Sequence, residues 1–135
     1  MSDQLSEHFA REEFACQCGC GFDAIDPKLV EGLEILRRTL RCSIQILSSC
    51  RCLAHNRAVG GAKASQHLSG IAADITVPGV PIRQVCQMAM QIPAFTGIGL
   101  DEQRHMLHLD IRGEPAKWVY LGGKAVAGWP VGLEA

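Results

Sequence analysis

Leu29, Leu33, Leu36 and Leu40 recur at spacings of four, three and four, which lays an apolar stripe along a helix with the neighbouring arginines turned outward. Asp26 stands where an N-cap is needed and Pro27 at the first helical position, so a core-scaffold helix is predicted to begin there. "SIQILSS", residues 43–49, is short, partly β-branched and bounded by polar residues, the pattern of a strand. "AHNRAVGGAKAS" then predicts a helical turn followed by a loop through Gly60 and Gly61. "IAADITV" is an apolar run ending at Pro78, consistent with a buried strand. In "VPIRQVCQMAMQI", Ile82, Val85, Cys86, Ala89 and Ile92 fall at helical spacing and Pro81 suits the helix start. Its methionines are expected to pack in the core.

"TGIGL" and "MLHLDIR" predict two further strands. In the second, Leu107, Leu109 and Ile111 share one face, while Met106, His108, Asp110 and Arg112 share the other. That strand has an apolar side to bury and a chemically loaded side. The succession of helices and strands predicts one α+β domain over residues 1–135. A cysteine-rich segment occupies about 9–22, and a glycine-rich tail, about 122–135, is expected to dock only in part.

Composition narrows the function classes. A chain of 135 residues suits one domain and is short for two. Thirteen basic and fourteen acidic residues give a net charge of -1, without the clustered Lys/Arg footprint that nucleic-acid binding requires. No apolar run approaches the roughly 18 residues of a membrane helix. The polar start "MSDQLSEHFAREEF" lacks the pattern of a secretory signal, so cytoplasmic synthesis is expected, with neither nucleic acid nor membrane insertion, and a monomeric protein.

Seven cysteines are many for this length. Cys16, Cys18 and Cys20 lie in "CQCGCG", and Cys50 and Cys52 in "SCRCLAHN". They admit disulfides or buried thiols bracing the N-terminal segment, or a second metal or redox site. The C-x-C spacing is tighter than the usual zinc knuckle, which favours the structural role.

The candidate chemistry centres on "SQHLSGIAADI". His67 and Asp74 flank the turn at Gly70, and Asp74 lies in an apolar run where an unpaired carboxylate is costly to bury. A cation would offset that cost, and His108, on the polar face of the last strand, could complete three ligands with a fourth position left for water. A hydrogen-bonded core histidine is the competing reading of His108.

The same stretch fits S-x-H-x-x-G-x-A-x-D, with Ser65, His67, Gly70, Ala72 and Asp74 in place. It resembles the zinc D-alanyl-D-alanine carboxypeptidase family, the LAS-type metallopeptidases that include phage endolysins and share a fold with the hedgehog signalling domain. "FACQCGCG", "LSSCRCLAHNRAVGGAKASQH" and "GIGLDEQRHMLHLDIRGEPAKW" extend the resemblance to the small single-domain branch over roughly residues 9–120. The resemblance implies a small antiparallel sheet packed with helices, and zinc on His67, Asp74 and His108. Zinc polarises a scissile carbonyl and lowers the pKa of a bound water to about 7. By position, Arg51 is implied to hold a substrate carboxylate or developing oxyanion; a structural salt bridge is its alternative. Ser65 and Gln66 are implied as hydrogen-bonding supports.

The general base departs from the family pattern, because Met106 and His105 occupy the positions where relatives carry an acid or histidine. His105 is the positional choice. Asp110 is the rival, either as base or as a group orienting a ligand histidine, and Glu102 is a third candidate. The implied activity is hydrolysis of peptide bonds in bacterial peptidoglycan stem peptides, as a D,D-carboxypeptidase or an endopeptidase, with phage-type release to the cell wall. Two alternatives stand beside it: a non-catalytic zinc-binding module of the same fold, and a structural or regulatory protein built on the cysteines.

Overall fold

The computed structural model describes residues 3–130 and Leu133. Asp26 accepts a hydrogen bond from the Lys28 backbone N–H at 2.9 Å, and with Pro27 it starts α1 (Pro27–Leu40) as predicted. Leu29, Leu33 and Leu36 are fully buried on its inner face. The helix stops at Arg41, which takes a left-handed conformation at φ 56°. The remaining elements are β1 (Gln45–Ser48), α2 (Leu53–Ala58), β2 (Ala72–Thr76), α3 (Ile82–Ala89), β3 (Gly97–Asp101), β4 (Met106–Asp110), β5 (Ala116–Leu121) and β6 (Lys124–Val126). The architecture is α+β.

The strands form one sheet in the order β1-β2-β4-β3-β5-β6. Neighbours are antiparallel except β3 and β5, which run parallel. The exception has a simple cause. β4 returns antiparallel beside β3, so the next strand, placed on the other side of β3, must run as β3 does.

Strand alternation sorts the sheet into two faces. Ala73, Ile75, Ile98, Leu100, Leu107 and Leu109 enter the hydrophobic core with Leu29, Leu33 and Leu36 of α1 and Val85 and Ala89 of α3. The opposite face carries the polar side chains. There the register sets Ser48 opposite Asp74, Asp74 opposite His108, His108 opposite Gly99, and Gly99 opposite Trp118. One row of partners thus crosses five strands.

Two strands lie beyond those predicted from the sequence. β5 was not anticipated, and β6 forms within the glycine-rich tail, paired to β5 from Val119↔Val126 to Leu121↔Lys124. The tail docks further through Leu133, which is buried and whose carbonyl accepts the Trp129 indole N–H at 2.7 Å. The rest of the tail, residues 131, 132, 134 and 135, lies outside the described residues.

Candidate metal centre

Each chemically loaded residue owes its place to a local feature of the chain. Ser65 caps a 3-10 turn, Gln66–Ser69, its hydroxyl accepting from the His67 N–H at 3.2 Å. The turn ends at Gly70, whose φ of 69° favours glycine and whose missing Cβ would lie 2.2 Å from the Ala24 carbonyl oxygen. That close approach lets the Gly70 carbonyl accept the Asp26 N–H. The signature glycine therefore joins the His67 turn to the start of α1.

His67, Asp74 and His108 are all buried, and one ligand atom from each lies within 4.8 Å of the others. His67 Nε2 is 3.3 Å from Asp74 Oδ1, and His108 Nδ1 is 2.9 Å from the same oxygen. The second ring nitrogens are occupied. His67 Nδ1 donates to the Ser49 carbonyl at 2.7 Å, and His108 Nε2 donates to Asp110 Oδ2 at 2.7 Å. With those protons so placed, two imidazole lone pairs and a carboxylate oxygen face one another, an arrangement that a cation satisfies. The donor set fits zinc, which accepts neutral imidazole and carboxylate.

Protons on the ring nitrogens that face Asp74 satisfy the same arrangement and compete with a cation for it, and the charges show the site's preference for a positive group. Burial disfavours ionisation of Asp74, yet hydrogen bonding and charge from His108 and His67 hold its carboxyl well below the usual carboxylate range. Burial likewise opposes charge on His108, but contacts with Asp110 and Asp74 raise it above the ordinary imidazole value. Asp110 is depressed as well: burial opposes ionisation, and His108 and Arg112 overcome it. Two ionised carboxylates flank one ring and favour positive charge between them.

Asp110 is fully buried and accepts from Arg112 Nε at 2.9 Å, Arg112 Nη2 at 2.7 Å and the Arg112 N–H at 3.1 Å. It fits because Gly97 is opposite; a Cβ there would fall 2.0 Å from Asp110 Oδ1. Asp74 Oδ2, the oxygen turned from the histidines, accepts from Arg51 Nη2 at 3.1 Å. Arg51 also donates to Ser48 Oγ at 3.1 Å and to Asn56 Oδ1 at 3.2 Å. Both readings of Arg51 thus have support: it makes the salt bridge, and three of five guanidinium N–H groups are used, leaving two for a ligand.

The centre lies in a cleft of about 520 Å³ lined by Arg51, Ser65, Gln66, His67, Asp74 and His108. Arg104, Arg112, Trp118, Tyr120 and Lys124 line it too. His105 is not among the lining residues. It occupies the β3–β4 turn at φ 51°, with its carbonyl accepting from Thr76 Oγ1 at 2.6 Å and its ring Nε2 donating to the Val80 carbonyl at 3.0 Å. Glu102 is exposed and paired with Arg83 at 2.8 Å. Asp110 sits behind His108, so none of the three base candidates lines the cleft.

Cleft residues not anticipated from sequence include Trp118 and Tyr120, which alternate in β5 as W-x-Y and reach the same face. The Trp118 ring stands 5.1 Å from that of His108, in space that a Cβ on Gly99 would close at 2.5 Å from its Nε1. The W-V-Y alternation was the available signal.

The cysteines divide. Cys50 is buried in the core, and burial pushes its thiol up to about 11. Cys16, Cys18, Cys20 and Cys52 gather with sulfurs within 4.8 Å of one another. All seven cysteines are free thiols.

Two imidazoles and a carboxylate converging at the floor of a cleft define the donor set of a mononuclear metallohydrolase. Residues 7–110 match the family model for Peptidase M15. The chain belongs to that family, whose activity is metallopeptidase and whose members are typically zinc-dependent. No curated protein matches the chain.

Proposed function

We propose that the protein is a zinc-dependent peptidase acting on the stem peptides of bacterial peptidoglycan, with His67, Asp74 and His108 holding the metal. The observation that carries this reading is the convergence of those three donors, each fixed through its other polar atom, in an open cleft. Bound zinc supplies Lewis-acid polarisation of a scissile carbonyl and an activated water. The chain's own residues supply placement. Arg51 holds Asp74 and keeps donors for a substrate carboxylate or oxyanion; Asp110 orients His108; Ser65 and Gln66 shape the His67 turn.

Among the described residues lining the cleft, Asp74 is the sole carboxylate, against the cations Arg51, Arg104, Arg112 and Lys124. Arg51, Arg104 and Arg112 are paired with Asp74, Asp101 and Asp110. The support for a substrate ending in a free carboxylate, and hence for the D,D-carboxypeptidase form over the endopeptidase, therefore rests on Lys124 and on the Arg51 N–H groups left for a ligand. Mass spectrometry of muropeptides digested by the zinc-loaded enzyme tests the reading. Loss of one terminal alanine is expected; separated stem fragments would mean endopeptidase.

A second reading, a non-catalytic zinc-binding module, is favoured by the absence of His105, Asp110 and Glu102 from the cleft lining. Zinc bound stoichiometrically with no muropeptide cleaved would establish it in place of the first.

A further inference from the structure

Of the four gathered cysteines, Cys18 and Cys20 are exposed, Cys52 is half-buried and Cys16 is buried; none joins the main hydrophobic cluster that takes Cys50. Three come from one tight segment and the fourth from 32 residues further along the chain. The segment can present three sulfurs to one point because Gly19 and Gly21, between and after the cysteines, take φ values of 82° and 94°. The Cys16 N–H bonds to the Phe22 carbonyl at 2.8 Å and closes the loop. Cys52 is brought over by the start of α2. Its own N–H bonds to Cys16 Sγ at 3.4 Å, and its sulfur accepts from the His55 N–H at 3.4 Å.

We propose that these four cysteines form a second metal centre, a closed tetrathiolate site for zinc that clasps the N-terminal segment to the start of α2. Cys16 Sγ and Cys18 Sγ are 3.4 Å apart, and Cys18 Sγ and Cys52 Sγ 3.6 Å. Those separations are far beyond a disulfide bond of about 2.05 Å. They approach the roughly 3.8 Å between neighbouring corners of a tetrahedron with zinc–sulfur distances of about 2.3 Å. One disulfide would use two of the four sulfurs and leave the other two unpaired beside it. A tetrahedral cation uses all four. The N–H groups aimed at Cys16 and Cys52 are of the kind that support metal-bound thiolates.

Binding exchanges each thiol proton for a zinc–sulfur bond, with the protons released to solvent and no change of oxidation state. The four ligands fill the coordination sphere, so the role is structural. Cys50 is anchored by its N–H to the Phe14 carbonyl at 2.9 Å, and Cys52 would be anchored by the metal. Arg51, which grips Asp74, lies between these two fixed points.

The test is metal analysis of the full-length protein purified under reducing conditions and saturated with zinc. Two zinc ions per chain are expected, one after His67→Ala, and one after Cys18→Ser/Cys20→Ser. Should the cysteine variant fail to fold, two measurements on folded protein decide. Cobalt loaded into His67→Ala protein should show thiolate-to-metal charge-transfer absorption, and the exposed thiols should resist a thiol reagent until a chelator is added. The proposal is overturned by no such absorption with immediate thiol reaction, by one zinc in the wild type that His67→Ala abolishes, or by a mass two hydrogens lighter for a bridge within the cluster. None of these outcomes depends on peptidase activity.

Discussion

The cleft centre and the cysteine cluster both depend on glycine, and they use it in opposite ways. Gly19 and Gly21 have positive φ with nothing within 4 Å of an added Cβ; the backbone path is what matters. Gly97 and Gly99 lie in regular strand, but a Cβ on either would run into Asp110 or Trp118; empty space is what matters. One site is shaped by a turn at the surface, the other by cavities left in a sheet and by the turn at Gly70, where positive φ and the missing Cβ act together. The donors differ in the same sense. Buried imidazole and carboxylate, each held by another polar group, leave room for a substrate. Sulfurs gathered around a point leave none. An open centre suits chemistry and a closed one suits bracing.

The sharpest break in this comparison is His67→Ala. Losing this ligand should empty the cleft centre and forfeit several kcal/mol of transition-state stabilisation, on the order of 10³-fold in peptidase rate or more. The rate assay should be paired with a circular-dichroism melt, because the turn at Gly70 and the cysteine cluster are untouched and the fold should persist. A variant that loses its fold along with its zinc would show that the cleft centre also braces the structure, and the division of labour would fail.

Gly97→Ala should act one step further from the metal. The new Cβ meets the Asp110 carboxylate, which His108 and Arg112 hold in place, so the carboxylate must shift and His108 loses its orienting partner. Zinc affinity should fall by about 10–100-fold, measured by competition with a chromophoric chelator. Asp110→Asn should show a similar loss, and the double variant should be little worse than the worse single, since both act through one contact. Additive losses would mean that Gly97 acts by another route.

Much of this was legible in the chain because local chemistry decided it. Asp26-Pro27 with the leucine stripe located α1 within its observed bounds. The alternation in "MLHLDIR" correctly separated His108 and Asp110 from the core face. What escaped were matters of tertiary placement. His105 shares its neighbourhood in sequence with His108, but the positive φ at His105 and the Val80 carbonyl carry its ring out of the cleft lining. Single-sequence spacing has no access to a partner 25 residues away. β5 was missed because its apolar residues are only half-buried or, at Leu121, exposed, and β6 because its glycine-flanked "KAV" has no pattern of its own until β5 is there to pair with it. The C-x-C spacing favours a structural role over a zinc knuckle, and the gathering of Cys16, Cys18, Cys20 and Cys52 by way of positive-φ glycines becomes visible only in the fold.

A smaller effect tests whether the N-terminal segment is fastened independently of the cysteines. Glu34, on α1, accepts from the His8 N–H at 2.9 Å and contacts His8 Nδ1 at 2.5 Å. Burial opposes ionisation, but the His8 contacts outweigh it and the carboxyl falls from 4.5 to about 2. Because the folded value is the lower one, the stabilisation is complete above the unfolded value of about 4.5 and is lost as pH falls towards about 2. Glu34→Gln should therefore cost about 1–3 kcal/mol at pH 6, and the cost should shrink between about pH 4.5 and 2. Acid also protonates thiolates, so the informative quantity is the difference between wild type and variant in denaturant melts at each pH, in which the contribution of the cysteines cancels. A difference independent of pH would mean that Glu34 braces α1 by shape alone. Convergence at low pH would give the segment an ionic fastening at His8 beside the one at its cysteines.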